Sequence, residues 1–175
     1  MEPNFEMYWK DEIPKISSNL NGNKSVQVEI ITGDYLDFSS PIAPKNSWAN
    51  NKKNDVAVWI IRLDRDGNFA IPDTKSGAKR NLYVLKGSNM EIDGQSISGG
   101  SMVTLDSSKN TVIKNLGIKT KILMLQGVPI NEPVIKYGPF VMNTQSEIHQ
   151  AFYDYNRTEF GGWKWGNSDP VHGTK

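Results

Sequence analysis

A chain of 175 residues is long enough to bury one real core, since about 70% of the unfolded surface is lost at this size, and it leaves little room for a second full domain. Twenty Lys and Arg against nineteen Asp and Glu give a formal charge of +1, too small a field to draw in nucleic acid or an anionic membrane. The absence of cysteine excludes disulfides, thiolate nucleophiles and zinc-thiolate sites.

The opening segment, MEPNFEMYWKDEIP, carries acids and a proline where a secretory leader needs a basic region and an apolar run. No later stretch reaches the apolar length of a membrane span. The expectation is a soluble, cytoplasmic protein that engages no membrane and does not bind nucleic acid directly. Residues 1–24 read as a lead-in. Strands are then predicted where apolar residues recur with period two: Val26, Val28 and Ile30, then Trp59, Ile61 and Leu63 within VAVWIIRL. Between them SSPIAPKNSWANNKKND, from Ser39 to Asp55, lacks periodicity and reads as a long surface connection, a candidate flap. After the turn dipeptide Asp66-Gly67 come short runs at LYVL, MEI, SMVTL, TVI and KILMLQ. Many short, closely spaced strands define an all-β sandwich, jelly roll or small barrel over residues 25–130.

Residues 131–160 combine a loop, GPFVMNT, with one helix. Thr144 followed by Glu147 is a capping box, and Ile148, Ala151, Phe152 and Tyr155 fall on one helical face, which predicts a helix from about Gln145 to about Asn156. That stripe must cover something, most simply the outside or an open end of the barrel. The glycine-rich tail, 161–175, holds Trp163 and Trp165, which either tuck against the domain or form a stacking platform.

The stretch from Gly67 to Gly87, GNFAIPDTKSGAKRNLYVLKG, fits the spacing G-x5-H-x-H-x4-E-x6-G and so resembles the first metal-binding motif of the cupins, which would make the fold a cupin-type jelly roll. The ligand positions fall on Asp73, Lys75 and Arg80. Imidazoles and a carboxylate would supply donors to a transition metal; an ammonium and a guanidinium instead set positive charge there, and arginine keeps its proton. The region comparable to a second motif, DGQSISGGSMVTL, offers Val103 or a neighbour, and the two histidines, His149 and His172, lie off the barrel strands. No cupin-type metal is expected. The bland reading makes TKSGAKR a solvated hairpin tip. The other makes Asp73, Lys75 and Arg80, with Tyr83, a polar pocket, either closed by an internal salt-bridge cluster or open to an anion.

From Leu125 the chain reads LQGVPINEPVIKYGPFVMNTQSEIHQAFYDYNRTEFG. This closely resembles the end of the pirin family, and MEPNFEMYWKDEIPKI resembles the opening of that family's second half. Pirins are bicupins, so the resemblance implies a chain corresponding to the C-terminal cupin, with the metal, usually iron, held by an N-terminal half that this chain lacks. Quercetin 2,3-dioxygenase activity and transcription co-regulation, which the resemblance implies for the family, belong to that half. No metal ligand carries over, and no catalytic residue is assigned.

Gly138, Pro139, Phe140, Asn143, Thr144 and Glu147 are read as structural: a permissive backbone, a fixed φ, packing and helix capping. His149 reads as a surface histidine, and Lys45, Lys52 and Lys53 as a solvated loop. The leading expectation is a metal-free module that supports or interacts, paired with a partner cupin half or as a homodimer. The alternative is a metal-independent ligand binder or isomerase using Lys75, Arg80 and Tyr83.

Overall fold

The computed structural model describes residues 6–20 and 23–162. The chain divides into two compact units, one over Phe5–Pro129 and one from Ile130 onward.

The first unit is a two-sheet sandwich. Its strands are β1 (Lys15–Leu20), β2 (Asn23–Thr32), β3 (Asp34–Tyr35), β4 (Phe38–Ser39), β5 (Ala57–Leu63), β6 (Asn68–Ile71), β7 (Lys79–Lys86), β8 (Met90–Ile92), β9 (Gln95–Ile97), β10 (Met102–Leu105), β11 (Thr111–Asn115) and β12 (Thr120–Gly127). One sheet runs β1-β2-β5-β12-β7-β10 and the other β6-β11-β8-β9, with β3 and β4 forming a small ribbon. This is the expected all-β jelly roll. The predicted alternation aligns across strands: Val28 pairs Ile61, Ile61 pairs Ile122 and Ile122 pairs Val84, all on the inner face. Ile30, Trp59, Met124 and Leu82 form the next such row. Phe69, Ile113 and Ile92 answer them from the second sheet, and Tyr35 packs its ring edge-on against Trp59 at 5.1 Å and beside Phe69 at 5.4 Å.

Residues 15–20, inside the sequence-defined lead-in, form an edge strand of the larger sheet. The connection 39–55 is also partly ordered. Short 3-10 turns span Trp48–Asn50 and Lys52–Asn54, each capped by a side chain, Ser47 and Asn51.

The second unit holds a hairpin, β13 (Ile135–Tyr137) and β14 (Phe140–Met142), and the helix α1 (Gln145–Thr158). The capping box forms as expected: the Thr144 hydroxyl accepts from the Glu147 N–H at 3.2 Å, while the Glu147 carboxylate accepts from the Thr144 N–H at 2.8 Å. The helix runs two residues beyond the predicted end and stops where Glu159 turns left-handed, φ 48°. Ile148 and Ala151 are its buried residues, and Phe152 and Tyr155 meet Phe140 of the hairpin edge-on at 4.7 and 6.1 Å.

Candidate functional site

The structure separates the four residues that the motif spacing groups. Asp73 and Lys75 lie exposed in the turn between β6 and β7, and the Asp73 N–H donates to the Asn110 side-chain Oδ1 at 2.8 Å. Arg80 points inward and is only 2% exposed. Tyr83, three residues along the same strand, falls on the opposite face, because side chains alternate and an odd interval crosses the sheet. A pocket shared by these four does not form.

Arg80 instead ends a chain of polar contacts that runs from β7 through β12 to the loops on either side. β7 sets it opposite Gln126 of β12, and its Nε donates to Gln126 Oε1 at 2.6 Å. Gln126 Nε2 donates onward to Asp55 Oδ1 at 2.8 Å and to the Asp55 carbonyl at 3.3 Å. The other Asp55 oxygen accepts from the Thr74 and Ser76 hydroxyls, both at 2.5 Å. Burial draws the Arg80 pKa down, and the fields of Asp55 and Asp73 oppose that; arginine remains charged in either balance. The expected internal salt-bridge cluster is therefore corrected. Among the described residues no carboxylate lies within ion-pair distance of Arg80, and a neutral amide relays between guanidinium and carboxylate. The Arg80 Nη1 is buried without a hydrogen-bond partner among the described residues. Sequence reasoning missed Asp55, Gln126, Thr74 and Ser76, since the contacts to Gln126 and Asp55 span 46 and 71 residues.

The residues present do not fit the iron implied by the family resemblance. Among the described residues no three His, Cys, Asp or Glu stand close enough to share an ion. The position of the motif carboxylate is taken by a guanidinium, and the interior is filled by Trp59, Phe69, Leu82 and Met124. Val103, in the second-motif region, packs against that core. His149 is exposed on the helix, and His172, Trp163 and Trp165 lie outside the described residues. Two hollows occur elsewhere: one of about 300 Å³ beside Gly33, Ser40, Lys52 and Asp55, and one of about 420 Å³ beside Ile92, Ile97, Val103 and Lys109. Neither is lined by Lys75, Arg80 or Tyr83. In the long loop Lys52 reaches Asp34 at 3.5 Å.

The GPFVMNT run supplies turn, packing and cap. Gly138 holds φ 54° at the hairpin turn, next to Pro139, and a side chain there would meet Phe152 at 3.9 Å. Phe140 packs against Phe152, Tyr155 and Phe160. The Asn143 amide donates to Glu132 and to the Pro133 carbonyl, each at 2.9 Å, which ties the hairpin to the segment before it.

A sandwich of a six-stranded and a four-stranded antiparallel sheet, with the core between them, is a cupin-type jelly roll. The family profile described as "Pirin C-terminal cupin domain" matches residues 58–161, so the chain belongs to the pirin family. It is 32% identical over 139 residues to a Vibrio cholerae protein provisionally named a quercetin 2,3-dioxygenase, covering 79% of this chain and 43% of that protein. It is 27% identical to the pirin-like protein of Solanum lycopersicum, covering 89% and 50%. Among solved structures, a quercetin 2,3-dioxygenase from Acinetobacter baumannii matches with a TM-score of 0.67 and 27% identity, over 87% of this chain and 49% of that one. The chain thus spans about half the length of the relatives it matches.

Proposed function

We propose that this chain is a metal-free cupin half that acts by supporting a second, metal-bearing cupin half and does no redox chemistry itself. The observation that carries the reading is Arg80: the motif position that would offer a carboxylate presents a buried guanidinium, hydrogen-bonded into a network in which both oxygens of Asp55 are engaged. The match to half of a longer family supports the same reading. Whatever flavonol chemistry the named relatives perform falls, on this reading, to the half that carries the metal.

The remaining residues serve the supporting role. The larger sheet has an inner face committed to the core, while its outer face presents Ile60, Leu123 and Tyr83 beside the exposed Met102 and Leu85. An apolar patch of this kind is what a docking surface needs. Thermal denaturation with added Fe(II), Mn(II), Ni(II) or Cu(II) tests the metal-free reading, since an ion held by the native state raises the Tm. No shift with any of them is expected; a saturable rise of several degrees with one ion overturns it.

A further inference from the structure

Charge on the outer face of the larger sheet decides which partner it takes. The register lays Arg62, Lys121 and Lys86 side by side on β5, β12 and β7, and like charges directly opposite in a sheet repel. Arg62 is answered by Glu29 at 2.9 Å. Lys121 and Lys86 have no ion-pair partner among the described residues. By strand alternation Lys15 and Lys79 join the same face, so among the described strand residues of that face five cations stand against the one carboxylate of Glu29. Beside the cation row runs an apolar belt, Ile60, Leu123, Tyr83 and Met102. Leu85, which the β7–β12 pairing skips, is 55% exposed next to it.

We propose that this face takes an acidic protein surface, one with an apolar centre flanked by carboxylates, and refuses a second copy of this chain. The inference rests on the reading above that the chain docks beside another cupin half, and it selects among the possible partners. In a two-fold contact the same patch lies on both sides. The cation row would then meet its own copy, the apolar belt or the neutral row of Val58, Leu125 and Asn81. The one carboxylate among the described strand residues of the face, Glu29 in the belt row, is already held by Arg62, so none is left to answer Lys121 and Lys86, and like-charge or unpaired contacts work against the wrong partner. A nucleic acid would satisfy the lysines but would lay a phosphate backbone against Leu85 and Met102, so the apolar belt favours a protein.

A copy of the chain carrying Lys86→Glu and Lys121→Glu keeps the apolar belt and presents carboxylates, so it serves as the probe. Sedimentation velocity at low ionic strength is expected to show the native chain as a monomer. An equimolar mixture of native and reversed chains is expected to associate, weakening as salt is added. The single variant Lys86→Glu, at an exposed position, is expected to show the same direction with a smaller effect if the double variant folds poorly. The proposal is overturned if the native chain dimerises at low salt and Leu85→Glu abolishes the dimer, or if the mixture stays monomeric. Binding of a short DNA duplex by the native chain that K86E/K121E removes also overturns it, in favour of nucleic acid. A tightly bound transition metal would defeat the metal-free reading while leaving the outcome of the mixing experiment untouched, so the two failures are distinguishable.

Discussion

Arg80 and Gln126 illustrate how unequal the two ends of a buried contact are. Removing the amide by Gln126→Leu strands both a buried guanidinium and one oxygen of Asp55, and leaving such groups unpaired costs about 2–3 kcal/mol. Arg80→Met removes the charge instead, while Asp55 keeps Gln126, Thr74 and Ser76, so its cost is expected to be smaller, as for buried ions replaced by apolar groups. Urea denaturation of the two variants should rank Gln126→Leu as the more damaging; the reverse order would mean that Arg80 carries its weight by packing. Tyr35 offers a second test at this scale. Burial between Trp59 and Phe69 raises its phenol above the ordinary 10.0. A group with a raised folded pKa adds stability that is complete below the unfolded value and is lost as pH climbs through the folded one. Stability should therefore decline on the alkaline side above about pH 10, and Tyr35→Phe should flatten that decline in pH-dependent urea melts.

At the scale of elements, the parts legible in the sequence were those with a strong local rule. Trp59, Ile61 and Leu63 alternate, and the strand formed. Thr144 and Glu147 complete a cap, and the helix began at Gln145. β1 escaped notice because in KISSNL the apolar Ile16 is followed by two serines and an asparagine, so no alternation shows, and β13 and β14 because three residues are too few to show a period. The four-residue pocket failed for a reason that was itself legible: Arg80 and Tyr83 are an odd number apart, so a strand must send them to opposite faces. The partner of Arg80 was not legible, because sheet register alone brings Gln126 to it, and Asp55 reaches Gln126 from the loop before β5. Two changes probe these elements. Thr144→Ala should lower stability by about 1 kcal/mol and speed amide exchange in the first turn of the helix, with Thr144→Ser largely restoring both. Gly33 holds φ 85° after β2, and a Cβ there would sit 2.7 Å from the Val56 carbonyl oxygen, so Gly33→Ala should cost about 2 kcal/mol through backbone strain. An unchanged urea midpoint would contradict that packing.

At the scale of the whole chain, charge is close to balanced in number and unbalanced in place. The inner faces of the sandwich are mostly apolar, with Arg80, Thr111, Asn115 and Thr120 as buried polar exceptions, and the outer face of the larger sheet gathers lysines beside an apolar belt. On the proposed reading, the sandwich keeps the architecture of a cupin while its interior is an apolar core and its role falls to an outer face. Among the described residues no helix is long and apolar enough to cross a membrane. On the proposed reading, what makes this chain a supporting half is that the inside of its barrel has no set of donors for an ion. Elemental analysis of the protein purified from iron-replete cells, by plasma mass spectrometry, reads that directly. A metal-free half is expected to carry only substoichiometric iron, manganese, nickel and copper, which dialysis against a chelator removes without loss of fold; one tightly held metal per chain, whose removal unfolds or inactivates the protein, would contradict it.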